Sequence, residues 1–201
     1  MTMKRLFMAT LMMGAAWMGC LAQDFRGGVT VGMTVNTPTY FGTMAGYYGG
    51  WRGEMSFDEE SSPIVGLGLM LSDKSWRYTP SDDAHIKAHP TYFDIPFHAG
   101  YRWEVSPKVR LFATAGPTVS IGVFGKEKAS YQGMSQTLTN NVFDNEMERI
   151  DFALGYRFGI ELNRNVQISV SQDWGLRNID KHDNVLKYHN RCFTLALTYM
   201  F

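Results

Sequence analysis

The sequence is poor in the features that staple or address a soluble domain. It has two cysteines, Cys20 and Cys192, and seven prolines in 201 residues. Neither sign of charge is in excess, since 19 basic and 19 acidic side chains leave a formal net charge of zero. A nucleic-acid partner asks for a basic surface, so that class is excluded. Beyond the N-terminus no stretch has the long uncharged apolar run of a transmembrane helix. What is plentiful is aromatic residues, at 14%, and glycine, at 20 residues. Aromatics favour strands and glycine favours turns, a β-rich combination.

The N-terminus reads as an export signal. Lys4 and Arg5 precede an apolar stretch from Leu6 to Met18. That stretch is too short to span a bilayer as a helix. Cys20-Leu21-Ala22 then supplies small residues at the positions that signal peptidase reads. Cleavage is expected after Ala22, giving a signal peptide at 1–22 and one domain at 23–201. Lipidation at Cys20 is the lesser alternative, because Trp17 suits that motif poorly. After cleavage Cys192 is alone and no internal disulfide can form.

Period-two alternation dominates the rest, as in strands whose successive side chains take opposite faces. At the C-terminus Phe193, Leu195, Leu197, Tyr199 and Phe201 oppose Cys192, Thr194, Ala196, Thr198 and Met200. From Glu148 to Asn163, Ile150, Phe152, Leu154, Tyr156, Phe158, Ile160 and Leu162 oppose Asp151, Ala153, Gly155, Arg157, Gly159 and Glu161. Similar segments run over Asn165–Trp174, Thr91–Val105 and Lys108–Val123, the last with Phe112 breaking the pattern. Phe25–Thr34, Tyr47–Phe57 and Ile64–Ser72 alternate less cleanly. The total is about eight strands, the minimum for a closed membrane barrel.

Alternation alone does not say which face is inside. Bulk does. Phe, Trp, Tyr, Leu and Ile crowd one face and would overfill an eight-stranded interior, which suits small side chains. The expected fold is therefore an all-β, closed, antiparallel up-and-down transmembrane barrel, with bulk outside and small or charged groups inside. Connector lengths agree. Phe57–Pro63, Glu104–Lys108 and Asn163–Asn165 are short, whereas Val35–Thr43, Asp73–Pro90, Gly125–Glu148 and Gly175–Tyr188 are long. Periplasmic turns and extracellular loops alternate in this way. A soluble periplasmic lipocalin-like barrel is the competing architecture.

Several segments resemble a known family. Tyr92-Phe93-Asp94-Ile95-Pro96-Phe97 is similar to a strand motif of the PorT-like family of small outer-membrane β-barrel proteins. Ala115-Gly116-Pro117, Phe158–Leu162, Gln167–Leu176 and Leu195–Phe201 resemble its following and closing strands. The resemblance implies the fold and an outer-membrane location, and it assigns no catalytic residue. A terminal aromatic, Phe201, also resembles the signal read by the barrel-assembly machinery.

The inward face predicts a lumen charge network of Arg26, Arg52, Glu54, Asp94, His98, Arg102, Arg110, Asp151, Arg157 and Glu161. Buried charges need partners, and here both signs are present. Asp94, His98 and Arg102 share this face, but no serine neighbours His98 on its strand, so a Ser-His-Asp hydrolase is the weaker reading. His85 and His89, four apart behind Asp82 and Asp83, lie between Pro80 and Pro90 and read as loop; so do His182 and His189. Asp58-Glu59-Glu60 lacks the spacing of a calcium loop. Gly27-Gly28 and Gly66-Leu67-Gly68 open no helix, so they are not phosphate cradles. No catalytic, cofactor or metal site is expected. The expected role is non-enzymatic: structural, interaction or secretion-associated. A lipid-active or hydrolytic barrel and a narrow channel are the alternatives. Expected partners are outer-membrane lipids, the assembly machinery at Phe201 and an extracellular or secretion-system protein, with the chain itself monomeric.

Overall fold

The computed structural model describes residues 24–39, 41–58, 61–81, 84–131, 134–181 and 188–201. The expected signal peptide, Cys20, Glu59, Glu60, Asp82, Asp83 and His182 lie outside the described residues. Ten strands and one short helix follow in chain order: β1 (Asp24–Asn36), β2 (Gly42–Ser56), β3 (Ser62–Asp73), β4 (Trp76–Ser81), β5 (Ala84–Ser106), β6 (Val109–Tyr131), β7 (Met134–Thr139), α1 (Val142–Asn145), β8 (Ile150–Leu162), β9 (Val166–Gly175) and β10 (Arg191–Met200).

Eight of the strands form a ring. Each pairs antiparallel with its neighbours in the order β1, β2, β3, β5, β6, β8, β9, β10. β10 returns to β1 from Gly28↔Met200 to Asn36↔Cys192, so no ring edge is left open. At this seam Thr30 Oγ1 lies 2.9 Å from Thr198 Oγ1, and Thr194 Oγ1 donates to Thr34 Oγ1 at 3.3 Å. Both pairs are direct cross-strand partners on the inner face.

The ring is inside-out. Phe152, Phe158, Leu195 and Leu197 are 47–51% exposed, whereas Arg157 is 3% and Glu161 0% exposed. The same division runs round the ring, with Val31, Leu69, Phe97, Trp103, Leu111 and Ile168 outward and Thr30, Met70, Thr114, Ser169 and Thr198 inward. A soluble lipocalin-like barrel would have the opposite arrangement. Aromatic pairs sit near both rims: Tyr101–Trp103, with centroids 5.2 Å apart, and Tyr156–Trp174, 5.4 Å apart.

Two stretches expected to be loops are strands instead. Asp73–Pro90 contains β4 and the start of β5, and Gly125–Glu148 contains the end of β6, β7 and α1. These hairpins continue the ring's ladders beyond its rim through β4–β5 and β6–β7 pairing. There His85, Lys87, His89, Lys126 and Lys128 are exposed while Ile86, Ala88, Glu127 and Ala129 are at least part-buried, so the exposed face is polar and the exposed apolar stripe that marks the ring ends. His85 and His89 accordingly lie on a strand, and Pro80 and Pro90 are strand residues. Proline is tolerated because β4–β5 is irregular between Tyr78 and Ser81, and β5–β6 shifts register just after Pro90.

The opposite rim has tight turns. Between β8 and β9, Asn165 N donates to Leu162 O at 3.2 Å, with φ of 50° at Asn163 and 65° at Arg164. Left-handed backbone at both central positions is the type I′ hairpin geometry, which favours Asn-Gly. Arg164 pays the β-carbon penalty. Arg164→Gly should stabilise the barrel by about 1 kcal/mol, read as a higher urea midpoint in lipid vesicles. An unchanged or lower midpoint would count against this account of the turn.

Candidate functional site

The bore is filled by side chains. Arg26 comes from β1, Arg52 and Glu54 from β2, Asp94, His98 and Arg102 from β5, Arg110 from β6, and Asp151, Arg157 and Glu161 from β8. All but the part-buried Arg26 are buried.

The structure divides these ten residues into two groups, with Arg52 and His98 lining a small gap between them. Towards the short-turn rim, Glu54 and Glu161 act as two hubs. Glu54 accepts from Arg102 at 2.5 Å and from Arg157 at 3.3 Å. Glu161 accepts from Arg26 at 2.9 Å and pairs with Arg110, its direct cross-strand partner. Gln167 on β9 joins the hubs, donating to Glu54 at 3.0 Å and to Glu161 at 2.8 Å while accepting from Arg157 at 2.8 Å. Gln167 was not among the ten expected residues; its polarity between Val166 and Ile168 was the available signal.

Phe112 explains itself here. Its ring is buried inside the bore, with the Arg157 guanidinium 4.4 Å from its centroid. Its cross-strand partner is Gly159, where a β-carbon would run into the Phe112 ring.

Asp94 and Asp151 belong to a second group towards the other rim. Lys74 Nζ lies 3.1 Å from Asp94 and donates to Ser120 at 2.8 Å. Ser72 donates to Asp94 at 2.6 Å, and Asn190 donates to Asp151 at 2.9 Å. Lys74 escaped the sequence reading because it falls in a connection. Between the groups, neither ring nitrogen of His98 has a hydrogen-bond partner, so the described residues form no Ser-His-Asp relay on it. Two cavities of about 20 Å³ each lie in the bore, with room for about one water apiece.

Above the second group the long connections pack together. Trp76, Ala88, Tyr92, Val142, Phe143, Met147, Ile179 and Tyr188 form a buried apolar cluster, flanked by Phe41 and Ile86. Asn141 caps α1, its side chain accepting from Phe143 N. Lys181 Nζ ties the fourth connection to the third by donating to Phe143 O and Asp144 O, each at 2.9 Å. The apolar residues scattered through otherwise polar connections were the sign of this second core. His85 and His89 instead meet Thr79 at 3.3 Å and Ser75 at 2.7 Å, and no group of three metal-ligating side chains occurs among the described residues.

A barrel with a lipid-like exterior and an ionic interior is the construction of one class of membrane protein. The family model described as outer membrane protein beta-barrel domain matches residues 20–181. The chain belongs to that family. This outer-membrane barrel is placed in the cell outer membrane, and the match is to the general barrel domain, with nothing specific to the PorT-like proteins. Matching solved structures include OprG of Pseudomonas aeruginosa, at 10% identity and TM-score 0.46 over 90% of this chain and 97% of that one. Neisserial surface protein A matches at 10% identity and TM-score 0.45, over 90% and 99%. Ail, the attachment invasion locus protein of Yersinia pestis, matches at 15% identity and TM-score 0.40, over 89% and 100%. No curated protein matches the chain.

Proposed function

We propose that this outer-membrane barrel is a non-enzymatic interaction protein that works at its extracellular face, not through its bore. One observation carries the reading: the bore is plugged by buried ion pairs while all four long connections converge on a built cap. Short turns, the start of β1 and the end of β10 share one rim, read as periplasmic, which puts the cap outside. The exposed Phe201 stands at the periplasmic end, where the assembly machinery would read it, and the apolar belt meets the membrane lipids as a monomer. A secretion-associated surface partner is the finer form of this reading, suggested by the PorT-like resemblance.

Planar-bilayer recording tests it. The wild-type barrel should be electrically silent, because buried ion pairs cross its lumen. Arg102→Ala combined with Arg157→Ala should introduce measurable conductance. Steady wild-type channels would reject the closed bore and favour the channel reading.

A further inference from the structure

The strands that rise above the long-connection rim carry one sign of charge on their outward face. Lys87 on β5 is the direct cross-strand partner of Arg77 on β4 and of Lys128 on β6. Lys126 stands one step nearer the ring, opposite His89. Arg77, Lys87, Lys126 and Lys128 are all exposed, and none of the four forms an ion pair among the described residues. The neighbouring acids are turned elsewhere. Glu127 alternates to the opposite face, where it joins Trp76 and Tyr188 in the wall of the cap. Asp73 is buried and engaged by Ser75 and His89.

Direct cross-strand partners have β-carbons about 5 Å apart, and like charges so placed destabilise a sheet. Arg77, Lys87 and Lys128 put three cations in such a row, about 10 Å from the first strand to the third. The chain as a whole has as many acids as bases, yet the described residues supply none to this face. An anion from outside the chain would offset the repulsion.

Position says which anion. The outward face of β6 carries Ile121, Val123 and Phe124, 41–55% exposed, at the upper end of the apolar belt. Lys126 follows Phe124 by two residues, about 7 Å along the strand, and Lys128 by about 14 Å. The cations therefore begin where the belt ends, at the level of lipid headgroups. A soluble polymer would give no reason for the patch to border the belt.

We propose that this face binds phosphate-bearing lipid headgroups of the outer leaflet, with Arg77, Lys87 and Lys128 as one row and Lys126 as the point nearest the hydrocarbon. The proposal rests on the capped rim being the extracellular one. Conductance is measured separately, so a failure here leaves the closed bore standing.

Urea unfolding from two kinds of vesicle tests it: phosphatidylcholine alone, and phosphatidylcholine blended four to one with bisphosphorylated lipid A. At low salt the wild-type midpoint should rise by about 1 M in the blend, and concentrated sodium chloride should shrink the rise. Lys87→Gln combined with Lys126→Gln and Lys128→Gln should lose most of it. In plain phosphatidylcholine the same variant should match or exceed wild type, because the repulsion is gone, with heat-modifiable gel migration unchanged. No rise in wild type, or an equal rise in the variant, would overturn the proposal. So would a variant less stable than wild type in plain vesicles, which would give the cations a role in the fold itself. Dextran sulfate binding to the barrel in plain vesicles, with lipid A without effect, would assign the face to a soluble polyanion and equally reject the lipid.

Discussion

Glu161→Ala should destabilise the folded barrel by about 3–5 kcal/mol, the cost of removing one partner from a buried ion pair. Glu161 is fully buried and is held by Arg26, Arg110 and Gln167, with Arg102 3.6 Å away. Without it the Arg110 guanidinium loses its direct cross-strand acid, and Arg102 loses a carboxylate 3.6 Å away. Water would reach Arg26 most easily, since its side chain keeps 13% exposure. The loss should therefore fall mainly on Arg102 and Arg110. Removing the Arg110 charge as well should recover part of it: Arg110→Ala combined with Glu161→Ala should cost at least about 1 kcal/mol less than the two single changes added. Urea unfolding in lipid vesicles, followed by tryptophan fluorescence, gives all three values. A Glu161→Ala loss under about 1 kcal/mol would mean that the hub contributes nothing net, as some buried ion pairs do.

The ring was legible because each of its strands separates two very different media. Leu195 beside Thr194, or Phe158 beside Arg157, carries that contrast in adjacent residues. The inward direction of Glu161 and Arg157 follows from the same alternation. Who bonds to whom does not. Glu54 and Arg102 lie 48 positions apart, and their contact depends on how far the side chains reach across a closed bore. Gln167 and Lys74 complete the two groups from places that charge counting on strands passes over. The hairpins hid for a related reason. Beyond the rim, Lys126, Lys128 and His85 are exposed where the ring would carry bulky apolar groups, so a strand there lacks the lipid-facing half of the pattern. The cap needed a third kind of evidence, because Phe41, Trp76, Val142, Ile179 and Tyr188 come together only when four connections fold over one mouth.

The same contrast of media supplies the other large effect. Leu195→Arg should cost about 2–4 kcal/mol in a bilayer, the penalty for arginine on the lipid face near the midplane. Leu195 is outward on β10, flanked by Met33 and Val170 on the adjacent strands, and is 51% exposed. Leu138 on β7 is 52% exposed, yet it stands on the hairpin beyond the rim. Geometric exposure is the same at the two positions, so any difference comes from what surrounds them. Leu138→Arg should change stability by no more than about 0.5 kcal/mol, as surface substitutions in water usually do. Both variants are unfolded from lipid vesicles with urea under one set of conditions. Equal, small losses would place water around Leu195 and remove the membrane from the account of this fold. A loss confined to Leu195→Arg makes the outward belt, from Val31 round to Tyr199, a surface shaped by hydrocarbon, and the ionic bore its necessary counterpart.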